Sequence, residues 1–389
     1  MNELCVDVGT MSLNKLGEQS CGDMVQMIRD GEDTVLVLAD GLGSGVKANI
    51  LSTLTSKIIA TMIANGMGVD ECVKTMIDTL PVCKTRGVAY STFTIIRISG
   101  NETAEIIQYD NPAVILLRNG KNYDYPVTTR TISGKTIMES KVRLQCGDVF
   151  IAMSDGTIYA GVGETLNYGW QRENIIKFVE EHYDDNLSAQ AVSSLIVDAC
   201  NDLYQNKPGD DTTAAAIRVR HRQVVNLIFG PPQNPKDLNK MMALFFAKQG
   251  KHIVSGGTTS SLTAAYLGKK METSIDYLDP EIPPIAFIEG VDLVTEGVLT
   301  INKALEYAKD FVSGNKLHQK WHSGKDGASQ IARMLLEEAT DINLYVGRAM
   351  NPAHQNPNLP IGFNIKMQLA EDLAKLLQEI GKTVNVSYF

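Results

Sequence analysis

The sequence predicts an α+β protein of two units, a layered body over residues 1–222 and an alternating α/β body over 223–389. Three observations lead there. At 389 residues the chain is about twice the usual size of one domain. Short β-branched apolar runs are interspersed with blocks of helical spacing in the first part, which is the pattern of sheets covered by helices. Beyond the polar stretch Arg220-His221-Arg222-Gln223 the pattern becomes a regular alternation of strand-like and helical segments.

In the first part, Thr34–Ala39, Ser91–Ile96 and Val149–Met153 are short apolar runs bounded by turn residues, and they predict strands. Residues 46–65, 69–79, 171–183 and 187–206 carry helical spacing. A boundary is placed near 223. After it, Val224–Phe229, Lys251–Val254, Ile285–Ile288, Ile342–Val346 and Thr383–Val386 predict strands. Segments 236–249, 258–267, 300–312, 326–339 and 366–380 predict the helices between them. Such alternation points to a three-layer, mostly parallel sheet of the Rossmann-like kind. No internal repeat or low-complexity tract is visible.

Hydrophobic content of 44% and charged content of 21% are globular values that exclude disorder and fibre. A net charge of −9 argues against nucleic-acid and anionic-membrane partners, since both need a broad basic surface. The six cysteines show no CxxC spacing and are read as reduced thiols of a cytoplasmic protein. The first residues lack the basic-then-apolar pattern of a leader, and no run of ~18 apolar residues offers a membrane span.

The chemistry lies in aspartates. Three short segments place an Asp at the end of an apolar strand: Leu38-Ala39-Asp40-Gly41, Met153-Ser154-Asp155-Gly156 and Pro208-Gly209-Asp210-Asp211-Thr212. A strand end is rigid and meets solvent, and glycine after Asp lets the backbone approach an ion and lend its carbonyl. Hard cations such as Mg²⁺ or Mn²⁺ prefer these oxygen ligands. A fourth acid, Asp23, precedes the strand-like run Met24–Ile28. Asp-Gly is also the commonest hairpin signal, so one pair alone reads as a turn. The signal is the set.

Ala39–Gly45 with Lys47-Ala48, then Ser154-Asp155-Gly156, then Gly209–Thr213, occur in the order and approximate spacing of the bacterial type 2C phosphatases. Over about residues 1–220 the chain resembles their stage II sporulation protein E branch, which acts on anti-sigma-factor antagonists. The resemblance implies a helix/sheet/sheet/helix phosphatase sandwich. It also implies that Asp40 bridges two Mn²⁺ or Mg²⁺ ions, with the Gly41 carbonyl on one of them. Asp155 and Asp210 would complete the other ion's shell, and Asp23 would act from outside through water. The reaction so implied is attack of a two-metal-bound hydroxide on the phosphoserine or phosphothreonine of a protein substrate.

Rival chemistries do not fit. A cysteine-dependent phosphatase needs Arg six positions after its thiolate, and no cysteine here has one. No His precedes position 182, which excludes the His-rich metal motifs of other phosphatases. One departure stands out: many relatives carry Gly-His before a hairpin proline, where this chain has Asp110-Asn111-Pro112. No arginine is placed as a phosphate clamp. Lys47 is a candidate, against the plainer reading of a solvated lysine. Helices 46–65 and 69–79 stand where such relatives carry a switch, and Gly41, Gly43 and Gly45 serve either as its hinge or as a tight turn.

In the second part, Ser255-Gly256-Gly257-Thr258-Thr259-Ser260 follows a strand and opens a helix, so it could hold a small anion or be a simple capped turn. Glu289-Gly290-Val291-Asp292 with Thr295-Glu296-Gly297, and Gly347–His354, are further strand-end loops, which share one edge of a parallel sheet. His318 and His322 are neighbours on one helix face and read as a polar helix end rather than a metal pair. A small-molecule sensor, a homodimer and a catalytically silent phosphatase-fold module are carried as alternatives.

Overall fold

The apolar runs of the first unit are continuous because both faces of their strands are covered. In the computed structural model, which describes residues 3–79, 91–185, 187–273, 282–312, 321, 324–349 and 361–389, the chain divides into Met1–His221 and Arg222–Phe389. The first unit runs β1 (Leu4–Leu13), β2 (Asp23–Asp30), β3 (Asp33–Gly41), α1 (Gly45–Ala64), α2 (Val69–Thr79), β4 (Ser91–Ser99), β5 (Thr103–Tyr109) and β6 (Ile115–Arg118). It continues with β7 (Lys121–Asn122), β8 (Thr128–Ile132), β9 (Lys135–Arg143), β10 (Val149–Met153), α3 (Asp155–Ile158), α4 (Arg172–His182), α5 (Ala189–Leu203) and β11 (Thr212–His221). A five-stranded sheet, ordered β1-β11-β10-β6-β7, and a six-stranded sheet, ordered β2-β3-β4-β5-β9-β8, account for all the strands among its described residues.

Side-chain alternation along β3 makes the layers. Leu36 and Leu38 join Phe150, Ala152, Ala215 and Ile217 in the core between the two sheets. Val35 and Val37 face the other way, against Ile59, Ile63 and Val73 of α1 and α2. On β10, Val149, Ile151 and Met153 pack against Ile175 of α4 and Ile196 of α5. The result is helix, sheet, sheet, helix. The buried face of α1 is rich in small residues, Ala48, Ser52, Thr55, Ser56 and Ala60, which lets the helix lie close on its sheet. Ser188 caps α5 by accepting a hydrogen bond from Ala191 N–H at 3.1 Å. That helix stops short of the expected 206 because Gln205 and Asn206 adopt left-handed backbone.

The second unit runs β12 (Val224–Phe229), α6 (Leu238–Phe246), β13 (Lys251–Ser255), α7 (Gly257–Leu267), β14 (Met271–Thr273), β15 (Ala286–Ile288), β16 (Leu293–Thr295) and α8 (Val298–Val312). It ends with α9 (Gly327–Ala332), β17 (Asp341–Val346), α10 (Ile361–Glu379) and β18 (Thr383–Tyr388). Its sheet is ordered β14-β15-β16-β13-β12-β17-β18. The strands from β16 to β18 are parallel, and β14 and β15 add an antiparallel edge. The expected strand at Ile285–Ile288 is that antiparallel β15. The parallel neighbour of β13 is β16, three residues hidden in what the sequence reads as a loop. Helices α8 and α9 cover one face of the sheet, with Leu227 and Leu344; α6 and α7 cover the other, with Ile228 and Val254. Among the described residues no helix is long and apolar enough to cross a membrane.

Candidate metal centre

Strand register brings the predicted acids to one end of the sandwich. Asp23 opens β2 and stands directly opposite Asp40 near the end of β3. Asp40 is in phase with Leu36 and Leu38, so it lies on the face of β3 turned toward the seam between the sheets. Asp155 follows β10 and begins α3. Asp210 does not end a strand, as the sequence suggested, but stands just ahead of β11. Antiparallel pairing of β10 with β11 sets those two loops side by side, with Ser154 N–H donating to the Thr213 carbonyl at 3.0 Å and Thr213 N–H to Ser154 Oγ at 2.8 Å.

The carboxylates feel one another. Burial, followed by the charges of Asp23, Asp155 and Asp210, pushes Asp40 up to about 9. Burial also raises Asp23 to about 7, against the easing influence of the nearby Ser154 and Thr213 hydroxyls, with Asp211 and Asp155 adding to the rise. Asp155 is raised by burial and then by Asp210. Asp210 is raised by burial and held back by Lys15, whose Nζ lies 3.8 Å from its Oδ1.

These buried acids fit a hard divalent cation. Asp23 is 4% exposed, and neither of its oxygens meets a hydrogen-bond partner in good geometry. Asp211, equally buried, leaves Oδ2 in the same condition. Unpartnered buried carboxylate oxygens are costly, and a cation among them would remove that cost. Among the described residues no three His, Cys, Asp or Glu side chains are drawn together closely enough to hold an ion as they stand. The acids share the seam end without closing on one point, as expected of like charges.

Close backbone packing fixes the acid loops. A Cβ on Gly41 would lie 2.2 Å from the Ala48 carbonyl oxygen of α1, and one on Gly156 would lie 2.1 Å from the Asp211 carbonyl oxygen. The Tyr204 hydroxyl donates to the Gly156 carbonyl at 2.9 Å. Asn49 of α1 donates to the Cys21 carbonyl at 2.8 Å, just ahead of Asp23. Gly45 has a φ of +71° with Glu18 against it, so the tight entry to α1 requires glycine.

Sequence reasoning missed two acids. Asp211 is buried and accepts from Lys15 N–H at 3.0 Å; its signal was the doubled Asp of Asp210-Asp211. Asp110, at a φ of +57°, adds its charge to those that raise Asp155. In the unusual hairpin Asp110-Asn111-Pro112, Asn111 is thus structural, bonding Thr92 and Thr94, while the exposed Asp110 touches the acids only through its charge on Asp155. Lys47 is exposed and forms no ion pair among the described residues.

In the second unit, Ser260 and Ser261 turn their hydroxyls back onto the Gly256 and Gly257 carbonyls at 2.9 and 3.0 Å. The Glu296 carboxylate lies beside Gly257 at the start of α7. His318, His322 and the part of the Gly347 loop from 350 to 354 lie outside the described residues.

Residues 30–220 match the family model described as Stage II sporulation protein E (SpoIIE). The match covers most of the N-terminal unit and a little under half of the chain. The unit's sandwich is similar to the PP2C phosphatase domain, with a fragment of the regulatory domain, of SpoIIE from Bacillus subtilis, at 20% identity and a TM-score of 0.49 over 57% of this chain and 64% of that one. The RsbU and RsbW domains of Rv1364c from Mycobacterium tuberculosis align at 18% identity and a TM-score of 0.46, over 56% of this chain and 62% of that one. The SiaA-PP2C domain of Pseudomonas aeruginosa aligns at 16% identity and 0.42, over 54% and 85%. No curated protein matches the chain significantly.

Proposed function

We propose that this protein is a SpoIIE-like regulatory type 2C phosphatase that hydrolyses phosphoserine or phosphothreonine on a bacterial cytoplasmic signalling protein, such as an anti-sigma-factor antagonist. In this reading residues 1–222 are the catalytic domain, and residues 223–389 are a Rossmann-like regulatory or ligand-binding domain. The observation that carries it is that Asp23, Asp40, Asp155 and Asp210 lie at one end of the sandwich, the last three of them within the segment that matches the family.

Asp40, the Gly41 carbonyl, Asp155 and Asp210 would hold two Mn²⁺ or Mg²⁺ ions, with Asp23 behind them. When bound, the ions would supply Lewis acidity and offset the charge that develops on the phosphoryl oxygens. Ser154, Thr213 and Tyr204 fix the backbone of the loops that carry Asp155 and Asp210, leaving the acid side chains to close on an ion. Asp40, the most strongly raised, would give up its proton as the cation enters. Retention of all four acids speaks against a silent module.

The test is release of phosphate from a phosphoserine peptide by the purified chain with Mn²⁺. Loss of turnover in Asp40→Asn and Asp155→Asn supports the reading. A wild type without turnover, or variants with full activity, contradicts it.

A further inference from the structure

A positive side chain beside the acids would help a phosphate dianion approach them, and no arginine in the motif pattern supplies one. The four acids have one cation beside them: among the described residues, Lys15 alone of the lysines and arginines forms an ion pair with Asp23, Asp40, Asp155 or Asp210. It reaches Asp210, which at 46% side-chain exposure lies at the mouth of the acid cluster, and Lys15 at 39% stands beside it. Asp23 by contrast is at the bottom, 4% exposed.

The position of Lys15 is built. Its own N–H donates to Asp211 Oδ1 at 3.0 Å, and Leu16 N–H donates to the Pro208 carbonyl at 2.9 Å. On its other side Glu18 accepts from the Ser44 hydroxyl at 3.2 Å and lies against Gly45, at the start of α1. The segment from Lys15 to Glu18 thus runs from the last acid loop to the first helix, with the lysine side chain beside the half-exposed Asp210. An ammonium on a long flexible stem can leave Asp210 and follow a phosphoryl oxygen without moving that segment.

We infer that Lys15 is the substrate-binding residue that receives the phosphoryl group of the phosphoprotein, the part for which sequence alone nominated Lys47. The inference rests on the phosphatase reading for its substrate and on the geometry above for its residue. A cation held by Asp210 would take up that carboxylate's charge and leave the Lys15 ammonium free to bond the incoming dianion.

The experiment uses the full chain loaded with Mn²⁺, as wild type, Lys15→Ala and Lys15→Arg, with binding of inorganic phosphate followed by calorimetry. Lys15→Ala is expected to bind phosphate about tenfold more weakly, the effect of losing one half-exposed charge-assisted hydrogen bond, and Lys15→Arg to recover most of it. The KM for a phosphoserine peptide should rise by the same factor with kcat little changed, and Mn²⁺ affinity should not fall. Unchanged phosphate affinity in Lys15→Ala overturns the assignment, as does a parallel loss of Mn²⁺ binding in both variants, which would make the lysine a support for Asp210. No phosphate binding by the Mn²⁺-loaded wild type overturns it as well. If phosphate binding falls in Lys15→Ala but the wild type turns over no peptide, the lysine assignment stands and the phosphatase reading fails; normal turnover with an unaffected Lys15→Ala gives the reverse.

Discussion

Replacing Gly41 with alanine adds one methyl where the candidate metal centre meets α1. That Cβ would lie 2.2 Å from the Ala48 carbonyl oxygen and 2.8 and 2.9 Å from its carbonyl carbon and Cα, all backbone atoms that cannot swing aside. Ordinary contact begins at 3.4 Å, so the helix must retreat by roughly 1 Å, an overpacking that costs about 1–3 kcal/mol. In a unit of this size the melting temperature should fall by about 5 °C. Gly41 does not have left-handed backbone, so the effect comes from the helix contact and not from strain at the residue itself. Because the retreat also moves the Asp40–Gly41 corner, kcat/KM with Mn²⁺ should fall about 100-fold, the usual effect of a 1 Å misplacement. Gly68→Ala is the control, since its Cβ meets nothing within 4 Å. Thermal melts and phosphopeptide kinetics on the two variants decide the matter. A Gly41→Ala protein with wild-type melting temperature and wild-type Mn²⁺ dependence would refute the seating of α1 on this corner.

Gly156→Ala drives a methyl to 2.1 Å from the Asp211 carbonyl oxygen and parts the Asp155 and Asp210 loops; Mn²⁺ affinity by calorimetry should drop at least about tenfold. Tyr204→Phe removes the buried bond to the Gly156 carbonyl and should lower stability by about 1 kcal/mol in urea unfolding. Without metal, Asp40 near 9 and Asp23 near 7 lie above the unfolded carboxylate value of about 4, so the folded state binds more protons than the unfolded one across that window. Stability in chelator should therefore be greatest near the acid end and decline as pH rises toward 9, while Mn²⁺ flattens or reverses the slope; melts from pH 5 to 9 would show a rising trend in chelator if the acids were not clustered.

Much of the fold was legible because covered strands announce themselves. Thr34–Ala39 reads as one apolar run since Val35 and Val37 meet helices while Leu36 and Leu38 meet the other sheet. β16 escaped because three buried residues between Asp292 and Glu296 carry too little pattern to separate from a loop. Asp40 and Asp155 stood out as Asp-Gly pairs after apolar runs, a local signal. Asp110 depends on the turn after β5, and Asp211 on the pairing of β10 with β11, which no local pattern encodes. Lys15 was invisible for the same reason, since the Asp211 it bonds is 196 positions away in the chain. Lys47 had the better local setting, beside the glycine-rich loop, yet the fold leaves it in solvent.

The central claim is that these aspartates form a divalent cation centre, and calorimetric titration of the full chain with Mn²⁺ tests it most directly. Saturable binding of two ions per chain is expected, with proton release seen as a buffer-dependent heat, and loss of that binding in Asp40→Asn. Absence of saturable binding, or wild-type binding by Asp40→Asn, would contradict it.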